Sequence, residues 1–84
     1  MSNTEQEVIE VVSSVLGLEA DQINSDSSFQ GDLGADSIDV VEVVIAIEDK
    51  FGVDIPDERA EQISSIKQLV ACIEEIQAIN SQDD

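Results

Sequence analysis

Serines, twenty carboxylates, three cations and one thiol are what this chain has to do chemistry with; it contains neither histidine nor tyrosine. The serine that stands out is Ser37, set between Asp36 and Ile38 where a helix is predicted to begin. A serine hydroxyl becomes a nucleophile only when a base takes its proton. Without histidine, and with lysines only at Lys50 and Lys67, no familiar triad can be assembled. Carboxylates are poor bases at neutral pH unless buried, and neither a G-x-S-x-G elbow nor a Walker loop occurs. If Ser37 reacts, another protein supplies the base and the metal. That makes Ser37 a substrate, and the chain not an enzyme. Taken by itself, a serine near a helix start is more often a capping or solvated residue.

The remaining reactive groups narrow the field. A lone cysteine, Cys72, permits no internal disulfide, and zinc sites need several Cys or His ligands. Counting from Asp26 puts Gly31 and Leu33 where an EF-hand loop requires them, but Ser28, Gln30 and Ser37 stand in place of essential ligands. No specific metal site is expected, only loose association of divalent cations with crowded acids. The formal net charge is −17. Such a surface repels nucleic acid and anionic membranes and suits basic protein partners. No run approaches the roughly 18 apolar residues of a membrane span, and the acidic start MSNTEQEV is unlike a signal or transit peptide. A soluble, cytoplasmic protein with no membrane insertion is expected.

The 84 residues, 42% of them hydrophobic, suit one domain over 1–84 with a modest core. Phe29 and Phe51 are the only aromatics, so that core is built from Val, Ile and Leu. A first helix is predicted from about Glu5 to Leu16. Thr4 and Glu7 have capping-box spacing; Val8, Val11, Val12, Val15 and Leu16 share a face; Gly17 is the stop. Residues 18–36 read as a loop, long for so small a domain and for that reason suggestive of function. Ile23, Phe29 and Leu33 should pin it to the core. A second helix runs from its N-cap Asp36 to Phe51, with Asp39 adding negative charge to its first turn and Gly52 ending it. Pro56 breaks the chain, and Asp57 is expected to cap a short helical turn. Ser65 and Gln68 form another capping-box pair, opening a last helix with Ile66, Leu69, Val70, Ile73 and Ile76 on one face. Residues from about 80 to 84 read as a frayed polar tail. No alternating strand pattern competes. The expected fold is all-α: a small, monomeric four-helix bundle, three helices long and one short.

At about 100° per residue, the second helix carries two apolar faces. Val40, Val43, Val44, Ile47 and Phe51 form the stripe that must face the core. Ile38, Val41 and Ile45 form a second strip turned away from it, flanked by Glu42, Glu48 and Asp49. Single exposed apolar residues are ordinary, but adjacent ones with a charged border have the character of a partner-binding face. Ser37 lies near the boundary between the two.

The run FQGDLGADSIDVVEVVIAIEDKFGVDIPDE, residues 29–58, resembles the acyl carrier proteins of dissociated, type II fatty-acid synthesis. LGADSI at Leu33–Ile38 is similar to that family's Asp-Ser-Leu core with its preceding Leu-Gly-Ala. The likeness continues through the acidic second helix to IPDE at Ile55–Glu58, and more loosely over nearly the whole chain. The resemblance implies a four-helix bundle in which Ser37 receives 4′-phosphopantetheine from coenzyme A, through a separate metal-dependent phosphopantetheinyl transferase. It implies that the arm's thiol carries acyl groups as thioesters to fatty-acid synthesis enzymes and acyltransferases. Basic patches on those partners are then expected to dock on Asp36, Asp39, Glu42, Glu48 and Asp49, with Ile38, Val41 and Ile45 as apolar contacts and Asp57 and Glu58 nearby. Acyl chains are expected to be buried beside Val40, Val44 and Ile47. Ile38 replaces the usual leucine, Val40 the threonine of the commonest bacterial versions, and Lys50 interrupts the acidic run. These departures leave attachment at Ser37 untouched and bear on the choice of partners. The competing readings are a carrier for polyketide or other specialised synthesis and, in a different class, an unmodified acidic interaction module.

Overall fold

The structure, a computed structural model, describes residues 4–81 and the side chains of 4–79. Four helices follow one another: α1 (Thr4–Leu16), α2 (Ser37–Phe51), α3 (Asp57–Gln62) and α4 (Ile66–Ser81). The long connection between α1 and α2 contains one turn of 3-10 helix at Ala20–Gln22. Among the described residues there is no strand, only an isolated antiparallel bridge between Ser28 and Ser65. Three helices are long and one is short, so the small all-α bundle expected from the periodicity is the fold.

α1 packs on both α2 and α4. Val8 and Val12 of α1, Val43 and Ile47 of α2, and Ile66, Leu69 and Ile73 of α4 are all fully buried. Valine is a mediocre helix former, so this packing, more than intrinsic propensity, holds α1 together. Val11, Val15, Leu16, Val70 and Ile76 are half-buried around that centre.

The caps of α2 are reciprocal and firm. The Asp36 carboxylate accepts the N–H of Asp39 at 3.0 Å, and the Asp39 carboxylate accepts the N–H of Asp36 at 3.3 Å. At the other end Gly52, at φ +66°, takes the left-handed conformation and donates to the Glu48 carbonyl at 2.9 Å. Two other starts differ from expectation. The extended residue before α3 is Pro56 (φ −60°, ψ 148°), and no side chain caps that helix. Asp57 is already helical, so its carboxylate adds charge to the first turn and is not the cap. At α4, Ser65 Oγ accepts the N–H of Gln68 at 3.3 Å, but the return bond goes one residue further back. The Gln68 carboxamide accepts from the N–H of Ser64 at 2.6 Å and from its hydroxyl at 2.7 Å. α4 continues to Ser81, into the stretch predicted to fray; residues 82–84 lie outside the described residues.

The long connection is well anchored. Ile23 and Phe29 are buried, and Leu33 is half-buried against the core. Ser28 Oγ accepts the N–H groups of Gly31 and Asp32 at 3.1 and 3.0 Å, while the Asp32 carboxylate accepts the N–H of Ser28 at 2.9 Å. The middle of the loop is zipped to the start of α4. Phe29 donates to the Ser64 carbonyl at 3.0 Å, Ile66 to that of Ser27 at 3.1 Å, and Lys67 to that of Ser25 at 2.9 Å. An ion pair between Lys67 and Asp26 at 3.5 Å closes the zip. The first N–H groups of α4 have no partner within their own helix and find one in this loop.

Candidate functional site

Ser37 is the first residue of α2, directly after the cap. It is exposed, and among the described residues no hydrogen bond engages its hydroxyl. Asp36 and Asp39 each accept a backbone N–H, so no base is in hydrogen-bond contact with the serine between them. The hydroxyl is accessible and unactivated.

A groove of about 360 Å³ opens at Ser37, between α2 and α3. Its floor is the buried or half-buried Val40, Val44, Ala60 and Ile63; its rim is the exposed Gln30, Val41, Asp57 and Glu61. Ile47, expected beside this space, is fully buried and does not line it. A second hollow of about 360 Å³ adjoins the groove, sharing Gln30, Val40, Glu61 and Ile63 and reaching Phe29 and Ser64.

The two faces of α2 separate as the helical period predicts. Val43, Val44 and Ile47 are buried, with Val40 and Phe51 half-buried. Ile38, Val41 and Ile45 are 69%, 55% and 58% exposed. Glu42 and Asp49 are exposed on the same helix, and Asp57 and Glu58 are exposed at the start of α3. Glu48 is different: it is half-buried, and its Oε2 accepts the N–H of Ile55 at 2.7 Å, tying the end of α2 to the segment before α3. Arg59 of α3 pairs with Glu75 of α4, and that hydrogen bond raises the Arg59 pKa above its ordinary value. Among the described residues no three His, Cys, Asp or Glu side chains are placed to hold a metal ion, and no helix is long and apolar enough to cross a membrane.

The first N–H groups of a helix, together with its dipole, favour an anionic group. An apolar groove beginning at the same residue favours a long and partly apolar one. A phosphate ester on Ser37 whose far end lies along the groove satisfies both. A family model described as the phosphopantetheine attachment site matches residues 6–73, most of the chain. The chain belongs to that family. It is a phosphopantetheine carrier, and its cofactor is covalently attached 4′-phosphopantetheine. The arm, when bound, supplies a terminal thiol that holds cargo as a thioester. The carrier's own side chains supply placement. The Asp36–Asp39 box fixes the first turn of α2, the positive end of that helix suits an anionic group, and Val40, Val44 and Ile63 offer an apolar wall. A phosphopantetheine carrier domain is generally a non-catalytic module.

The sequence pattern does not bring out Gln30, Ala60, Glu61 and Ile63 as groove residues, nor the pairing of Arg59 with Glu75. The spacing of Ala60 and Ile63, three apart, was the one local hint of a packing face. An ion pair between two helices leaves no local pattern at all.

Proposed function

We propose that Ser37 is the attachment serine and that the chain carries acyl groups as thioesters for a dissociated fatty-acid synthesis system. The observation that carries this reading is the position of Ser37: exposed, free of hydrogen bonds, first in α2, at the mouth of the apolar groove. Cargo then has two places to go, outward to a partner or inward along Val40 and Val44. Partners of basic surface dock on the exposed strip Ile38, Val41 and Ile45 and its acidic border, Asp36, Asp39, Glu42, Glu48 and Asp49. Of these acids, Glu42 and Asp49 have no hydrogen bond or ion pair among the described residues. All five charges add to long-range attraction, and the exposed, unengaged carboxylates of Glu42 and Asp49 are the freest to meet a partner's cation directly.

The test is intact-mass spectrometry after incubation with coenzyme A, magnesium and a broad-specificity phosphopantetheinyl transferase. The wild type should gain one arm and Ser37→Ala none, with its helical circular dichroism unchanged. An arm on the Ala variant, or on Ser27, Ser28 or Ser64, would overturn the assignment of Ser37. The pathway is read from protein isolated from its native cell: a ladder of simple acyl thioesters supports fatty-acid synthesis, whereas polyketide intermediates alone would exclude it.

A further inference from the structure

α3 is the least anchored helix of the four. None of its six residues is buried, and hollows lie on two sides of it. One is the groove at Ser37, about 360 Å³; the other, about 260 Å³, is bounded by Arg59, Gln62, Cys72 and Glu75. Ile63 borders both. The segment is tied at its ends by the buried Ile55 and Ile63 and by the Glu48–Ile55 hydrogen bond. Between those ends, among the described residues, one side-chain bond joins α3 to another helix: Arg59 to Glu75.

We propose that the Arg59–Glu75 pair is a latch on α3, and that its release opens the groove beside Ser37. With the pair parted, α3 is held only at its two ends. The helix can then lift between those ends, moving Ala60 and Glu61 away from Val40 and Val44 and widening the groove. Exposed ion pairs are weak, and both partners here are about half exposed, so the latch biases the closed state without locking it. The role of the opening, admitting cargo, rests on the reading of Ser37 above; the latch itself is tested without it.

Cys72 makes the test direct. It is the chain's only thiol, it is 3% exposed, and it borders the hollow behind α3. Lifting α3 uncovers it. In the full chain without an arm, Arg59→Gln and Glu75→Gln should each speed labelling of Cys72 by a disulfide reagent about threefold, the scale of one exposed ion pair. The double variant Arg59→Glu with Glu75→Arg should return the rate to that of the wild type. Added salt should shrink the difference between the wild type and the single variants, because the exposed pair is screened. Amide exchange should quicken at Ala60 and Ile63 and stay constant at Val43, Ile47 and Leu69. The neutral apolar probe N-phenyl-1-naphthylamine should bind the single variants more tightly than the wild type. Unaltered labelling overturns the latch. So does a double variant that labels as fast as the single ones, or a rise matched at the core amides, which is global unfolding. Unaltered probe binding overturns the link to the groove. A chain that shows the latch yet accepts no arm would overturn the reading of Ser37 alone.

Discussion

α1 and α3 are both neighbours of α2, and they are built in opposite ways. α1 has thirteen residues and inserts the fully buried Val8 and Val12 between α2 and α4. α3 has six residues, buries none of them and stands between two hollows. α2 answers each neighbour in kind, with the fully buried Val43 and Ile47 in the core and the half-buried Val40 at the groove. A domain this small is marginally stable, so empty space cannot be spread through it cheaply. The three hollows all border Ile63, at the end of α3, while α1 meets α2 and α4 through fully buried side chains. The packed side fixes the helix that carries Ser37; the loose side leaves room beside it.

The sharpest way to break that comparison is to truncate one residue on each side. Leu69→Ala, in the packed centre, should cost about 2–5 kcal/mol in urea denaturation. Ile63→Ala, next to space that already exists, should cost less than about 2 kcal/mol, because the loss of its methyl groups leaves little new unsupported surface. Equal costs would show that the side of the molecule beside α3 is as closely packed as the centre. A smaller effect separates the two helix starts. Asp36→Ala removes a formed cap and should cost about 1 kcal/mol. Asp57→Ala removes a charge but no cap, and should stay within about 0.5 kcal/mol of the wild type. The smallest effects on stability belong to the outward strip. Val41→Ala should leave the urea midpoint within about 0.5 kcal/mol while shortening the lifetime of a complex with the transferase. Glu42→Lys should instead slow association with the same enzyme, and added salt should shrink the difference. Binding kinetics indifferent to both substitutions would mean that α2 is not the docking helix.

What could be read from the sequence depended on whether one local rule acted alone. On α2 a single period runs through fifteen residues. The buried Val43, Val44 and Ile47 and the exposed Ile38, Val41 and Ile45 follow from it, and the caps Asp36 and Gly52 follow from residue type at its two ends. Where competing partners were available, the pattern misled. Gln68 had two serines within reach and took Ser64 in place of Ser65. Glu48 stands in line with the border acids, yet it takes the N–H of Ile55, seven residues on. Asp57 suits a cap by type, but the extended backbone falls at Pro56. Ala35, Val53, Ile55 and Ile63 belong to the core although they lie in irregular segments, where no period announces burial. The groove joins residues of α2 and α3 with Gln30 of the long loop and Ile63 beyond α3, so the resemblance pointed to its α2 wall, Val40 and Val44, while no local period pointed to the wall opposite.

The zip between the long loop and α4 bears on how the chain folds. Ile66 and Lys67 pass their N–H groups to carbonyls of Ser27 and Ser25, almost half the chain away. Starting a helix is its least favourable step, because several residues are fixed before any bond is gained. For α4 that step is helped by partners that arrive only when the loop, with Phe29 at its centre, has docked. α4 should therefore gain little structure ahead of the rest, and its formation should coincide with closure of the whole bundle. In a stopped-flow experiment, amide protection at Ile66 and Lys67 is expected to appear in the same kinetic phase as burial of Phe29, with no earlier helical species.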